Sequence, residues 1–271
     1  MNLLNSVKKT CFAFALITTS FIFLSFTPSA QLEDPPANKR PFVVVLDPGH
    51  GGNKPGAMGR RSSEKDLVLD VSKKLKLALE TRLENVKVIM TRTTDVDVEF
   101  WRRADIANKN HADIFVSIHA NSARSNTARG TETLVLGFHR IGEQDAAIRE
   151  NADMLLEDNY EENYKELGDF DPSDPSTYIV FRLLRRQYRA QSIKLASLMQ
   201  TEYAKSNRIN RGVKEQGLAV LAKASMPAVL TEIGFINNRE EENFMLSSAG
   251  QREIVENLFQ AIKSYKNSVD K

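Results

Sequence analysis

Short apolar runs alternate with stretches of helical periodicity along most of this chain, and nothing else in it limits the possible folds so tightly. Strands are expected at 41–47 (PFVVVLD), 86–91 (VKVIMT), 113–120 (DIFVSIHA), 130–137 (GTETLVLG) and 226–235 (MPAVLTEIGF). Within 64–83, Val68, Val71, Leu75, Ala78 and Leu79 recur at helical spacing. Helices are also expected at 100–110, 187–206 and 248–266, the last with Ile254, Leu258, Ala261 and Ile262 on one face. Strands alternating with helices imply an α/β domain, a mainly parallel mixed sheet with helices on both faces. There is no internal repeat and no second domain with a core of its own.

The first 41 residues stand outside this pattern. Lys8 and Lys9 precede an apolar run from Cys11 to Phe26, and small residues follow up to Ala30. Residues 1–30 therefore read as a secretory signal, the run being shorter than the ~20 residues of a membrane span. An uncleaved anchor is the alternative. Cys11 opens the run instead of closing it, which argues against lipid attachment. Residues 31–41 (QLEDPPANKRP) form a polar, proline-containing linker, and 42–271 one domain. Cys11 is the only cysteine, so a metal site in the exported part must use His, Asp or Glu. The whole chain has 37 basic and 35 acidic residues; without Lys8 and Lys9 the balance is zero, which gives no reason to expect a nucleic-acid partner.

One segment breaks the rhythm. Residues 143–171 hold eleven Asp or Glu against two Arg or Lys, a turn-rich stretch (169–176, DFDPSDPS) follows, and a basic one (181–189, FRLLRRQYR) comes next. This reads as an insertion, 140–186, between a strand and the next core helix. A solvated pair of surface helices is the plain alternative.

Three strand ends carry chemistry. VVVLDPGHGG places His50 after the first strand, IFVSIHAN places His119 at the end of the third, and AVLTEIGF carries Glu232. In open α/β sheets, sites form beyond the carboxyl ends of the strands, so these residues can meet. The loop after His50 can fold back to bring Glu64 alongside. Two histidines and a carboxylate suit a catalytic zinc with one open position. A further carboxylate can move protons between water and a leaving nitrogen. His50, Glu64 and His119 fit the ligand roles and Glu232 the shuttle. Each also has an ordinary reading. A histidine after a strand is usually a hydrogen-bonded surface residue, Glu64 can be a first-turn carboxylate behind a Ser62 or Ser63 cap, and Glu232 can simply end a strand. His111 and His139 lack the strand-end setting and read as surface residues.

Taken together, LDPGHGG with Gly56-Ala57, SEKDLVL, TRTTD, RRADIANKNHADIFVSIHANS, GTETLVL and PAVLTEIGFINN resemble the zinc-dependent N-acetylmuramoyl-L-alanine amidases of the bacterial cell wall. The motifs span about 42–262 in the family's order. The resemblance implies a mixed α/β sheet flanked by helices and one catalytic Zn2+ on His50, Glu64 and His119. It also implies a catalytic Glu232 and cleavage between N-acetylmuramic acid and L-alanine of peptidoglycan. It implies a role in daughter-cell separation and, with the signal, export to the periplasm. A monomer is expected. Many relatives carry an acidic residue soon after GHGG, where this chain has Asn53-Lys54-Pro55. Some hold a helix over the zinc until an activator protein displaces it. RENADMLLEDNY (149–160) and the basic stretch after it resemble that region, so Glu150 is the candidate inhibitory zinc ligand. Asn121 and Arg103, also in family motifs, are expected to contact substrate or brace the site. A zinc peptidase cutting another wall peptide and, less in keeping with four intact site residues, a non-catalytic wall-binding module are the competing readings.

Overall fold

A computed structural model describes residues 40–137, 145–153, 157 and 175–270. The signal, nearly all of the linker, His139 and the acidic stretch 158–174 lie outside the described residues.

Five of the strands fall where the apolar runs place them: β1 (Phe42–Pro48), β2 (Val86–Met90), β3 (Ile114–Asn121), β4 (Thr131–Leu136) and β6 (Ala228–Phe235). The remaining strand, β5 (Asn210–Gln216, NRGVKEQ), was not expected. It sits at the sheet edge and pairs only with β4, so it needs no apolar alternation and leaves no hydrophobic signal. The order is β2-β1-β3-β6-β4-β5. All neighbouring pairs are parallel except β4 with β6, which makes the sheet mixed.

Every residue of β1, β3 and β6 is buried. That explains their near-continuous apolar runs, because strands covered on both faces have no polar side to show. Val44 and Leu46 pack into one core with α1 (Glu64–Arg82), α4 (Pro175–Lys205) and α7 (Ser248–Val269). Val43 and Val45 point the other way, to a smaller core with α2 (Phe100–Lys109) and the short α5 (Ala219–Ala222). Two further helices, α3 (Asp145–Asn151) and α6 (Arg239–Leu246), border the site. The helix expected at 187–206 begins at Pro175, a residue suited to a first helical turn. The basic stretch and position 186 thus fall within α4, continuous with the core helix. Among the described residues no helix is long and apolar enough to cross a membrane.

Candidate metal centre and active site

The chain leaves β1 through a turn at Gly49 and His50, and His50 takes a left-handed backbone (φ 56°), uncommon for a residue with a Cβ. Two buried guanidiniums hold this turn. Arg92, from the TRTTD motif, donates to the carbonyls of Pro48 (3.0 Å), Gly49 (2.7 Å) and Lys65 (2.8 Å). Arg103 donates to the carbonyls of Pro48 (2.9 Å) and His50 (2.7 Å) and to Asp47 Oδ1 (2.8 Å). Asp47 also accepts from Thr91 Oγ1 (2.6 Å) and Ser117 Oγ (2.7 Å). Burial pushes the Asp47 carboxyl up, but Arg103 and the two hydroxyls together hold it below its usual value. Arg103→Leu would strand that charge in the core. We expect a loss of roughly 3–5 kcal/mol, read as a lower denaturant midpoint; an unchanged midpoint would overturn the bracing role.

Glu64 opens α1 and is fully buried. Ser63 occupies the N-cap position, but its hydroxyl goes to Asp66 Oδ2 (2.5 Å) and not to a backbone N–H. Glu64 instead turns inward, accepting from the N–H of Ala57 (2.8 Å) and of Ala120 (2.8 Å). Glu242 on α6 secures the loop before it, its Oε1 accepting from Arg61 N (2.8 Å), Ser62 N (3.2 Å) and Ser62 Oγ (3.0 Å).

His50, Glu64, His119 and Glu150 converge, each offering one ligand atom, and all four atoms lie within 4.8 Å of one another. His119 Nδ1 is 3.0 Å from Glu64 Oε1 and 2.8 Å from Glu150 Oε2. His50 Nε2 is 3.2 Å from Glu64 Oε2 and 3.3 Å from Glu150 Oε2. Despite these distances, His50 Nε2 and Glu150 Oε2 are buried without a properly angled hydrogen bond. His119 Nδ1 does bond Glu64 Oε1 (3.0 Å), but a buried imidazole nitrogen and a buried carboxylate oxygen left unsatisfied at one point fit a cation there. Two imidazole nitrogens and two carboxylates are a donor set that zinc accepts. Asp153 lies 2.7 Å from His50 Nδ1 and so presents Nε2 to the cluster. Burial alone lowers the tendency of His119 to protonate, but Glu150 and Glu64 outweigh it and raise its pKa to about 9. Burial raises the Glu64 carboxyl, yet the His50 charge leads the effects that bring it down to about 2.

Two glycines are set by this packing. A Cβ on Gly49 would lie 2.4 Å from the His119 ring, and one on Gly56 (φ 68°) would lie 2.5 Å from the His50 ring and 2.6 Å from Glu64 Oε2. The glycine-rich loop therefore allows the donors to pack closely.

Glu232 lies beside the cluster, in register with His119 across β3 and β6, and is fully buried. Burial and then the Glu150 charge push its carboxyl well above the usual range, against the pull of Arg149. Arg149 Nη2 donates to Glu232 Oε1 (3.1 Å), its Nε to Glu150 Oε1 (3.0 Å) and its Nη1 to the carbonyl of Ser122 (2.7 Å). One residue of α3 thus engages the donor cluster and its neighbour engages Glu232.

The structure brings together His50, Glu64, His119, Glu150 and Glu232. Arg103 is a buried brace. Asn121 donates to Glu132 Oε1 (2.8 Å) and is buried, and His111 is exposed. Arg149, Asp153, Glu157 and Glu242 were not singled out from the sequence. The spacing of the acidic positions 150, 153 and 157 is helical, but α3 ends at Asn151, so only Glu150 of the three lies on that helix.

The family model of N-acetylmuramoyl-L-alanine amidases matches residues 44–264. AmiC of Escherichia coli is 32% identical over 231 residues, covering 83% of this chain and 53% of the relative. AmiA of the same species is 30% identical over 226 residues, covering 82% of this chain and 75% of the relative. The chain spans about half the length of the AmiC relatives, 53% and 54%. The crystal structure of an amidase from Clostridium difficile superposes with a TM-score of 0.63 at 27% identity, covering 85% of this chain and all of that one.

Proposed function

Since the chain belongs to the N-acetylmuramoyl-L-alanine amidase family, we propose that it hydrolyses the amide between N-acetylmuramic acid and L-alanine in peptidoglycan and is held inactive by its own segment at α3. The observation that carries this reading is the convergence of two buried histidines and a glutamate from three distant parts of the chain, with Glu232 beside them.

His50, Glu64 and His119 would hold zinc, which supplies a Lewis acid and a water of lowered pKa when bound. Glu232 takes a proton from the attacking water and returns it to the leaving nitrogen, so the amine departs neutral. Its burial, without a hydrogen bond at Oε2, keeps the carboxyl available for both transfers. Arg92 and Arg103 fix the backbone of the His50 turn, and Asp153 holds the His50 tautomer while the segment is in place.

Glu150 supplies a fourth donor where catalytic water is needed, and Arg149 occupies Glu232 at the same time. Both nucleophile and shuttle are then unavailable at rest. Activity requires α3 to move away, which an activator protein would bring about, consistent with the family. Export by the N-terminal signal to the periplasm would place the enzyme on its substrate in daughter-cell separation.

Two measurements on one preparation test the assignment. Elemental analysis should give one zinc per chain, and in a Glu150→Ala protein chelation followed by zinc should abolish and restore activity. Peptides released from sacculi should begin with free L-alanine. Another new N-terminus would point to a peptidase, and a protein that takes up no zinc would overturn the ligand set.

A further inference from the structure

Lys54 follows the GHGG turn, and its surroundings give it a use. It closes a tight loop with Gly51, N–H to carbonyl in both directions (2.9 and 3.1 Å), four residues beyond His50. Only 4% of it is exposed. A lysine so deeply buried needs an anion, since an unpaired charge out of water is costly. Its ammonium lies 3.2 Å from Asp97 and 3.5 Å from Glu157.

Glu157 has a second attachment. Its Oε1 accepts from the N–H of Phe100 (2.8 Å), the first residue of α2. That helix has no acidic residue in its first turn, and its N-cap residue Glu99 makes no side-chain cap. The N–H groups at such an end favour an anion through their partial positive charge. Here a buried cation and a helix end therefore share one carboxylate. That carboxylate belongs to the segment that also carries Glu150 and Asp153, and three acidic side chains of that segment occupy three successive positions along the site. When the segment lifts, Asp97 (side chain 40% exposed) stays with Lys54, but the Phe100 N–H loses its acceptor and Lys54 its buried partner.

We infer that Lys54 and the N-terminus of α2 form a carboxylate subsite, filled at rest by Glu157 and taken in the open enzyme by a carboxylate of the stem peptide. The identity of the ligand rests on the amidase reading; the anion subsite itself does not. Glu157 acts as a stand-in for substrate, and Lys54 becomes a specificity-determining residue for stem peptides with a free carboxyl group in place of an amide.

The single tryptophan of the chain, Trp101, is the second residue of α2 and reports on the subsite without any turnover. The zinc-loaded full chain is titrated with the acidic dipeptide L-Ala-D-Glu and with its amidated form, following Trp101 fluorescence. Glu157→Ala should bind the acidic dipeptide at least about tenfold more tightly than the parent, and the amidated form no better, as a charge-assisted hydrogen bond predicts. Adding Lys54→Met should abolish the gain, and adding Lys54→Arg should keep it. The inference is overturned if Glu157→Ala brings no gain, if the amidated dipeptide binds as well, or if the gain survives in a folded Lys54→Met protein. Should Lys54→Met fail to fold, the amidated dipeptide decides alone. Peptide release from sacculi, assayed alongside, separates the two ideas: selective carboxylate binding without release sinks the amidase reading and leaves the subsite standing.

Discussion

Glu232→Gln should lower peptide release by roughly 10²–10⁴-fold, the usual contribution of a positioned general acid and base. It should leave zinc content and the unfolding midpoint almost unchanged. The carboxyl is buried on a central strand and accepts from Arg149 through Oε1 alone. Glutamine keeps that acceptor and the side-chain volume but cannot take up a proton. The comparison is cleanest in a chain freed of inhibition, because a blocked parent has little rate to lose. Measurable turnover within a few-fold of the freed parent would show that the proton moves by another route.

Freeing the chain is the second large effect. Glu150→Ala in the full-length protein should raise basal peptide release by about 10–100-fold, the equivalent of one buried charge-assisted contact of roughly 1.5–3 kcal/mol. Arg149 would still hold Glu232, so Arg149→Ala combined with Glu150→Ala should exceed either change alone. Both contacts come from one short helix, and removing only one leaves the other to draw it back. Point substitutions test this better than excision of 140–186, which would cut into α4 at its N-terminal turns. A double variant with one zinc, a native midpoint and parental activity would end the autoinhibition proposal.

The strand-end chemistry was legible because it is local. His50, His119 and Glu232 each follow or interrupt an apolar run, and sheet topology alone predicts that such ends meet. Glu64 was harder, since its sequence context also fits an ordinary helix start; only the inward turn toward Ala57 and Ala120 separates the two. Of the braces, Arg103 was expected from its place in a family motif, and the structure buries it against the His50 turn. Arg92 and Glu242 were not legible, because they act on backbone groups far away in sequence. β5 was missed because an edge strand of polar residues has no period to read. In the covering segment the family resemblance pointed to Glu150, whereas Arg149, one of only two basic residues between 143 and 171, is the group that reaches Glu232. A rare cation in an acidic stretch was the overlooked sign.

The covering helix is joined to the fold on both sides, to β4 before it and to α4 after it. On the autoinhibition proposal, α3 is never diluted: it faces its site at an effective concentration set by the chain that joins it. Latency is then the same at any abundance of the protein. Soluble wall fragments at micromolar levels would compete poorly against it. Release calls for a ligand that grips the segment itself, or for substrate presented as densely as it is in an intact wall.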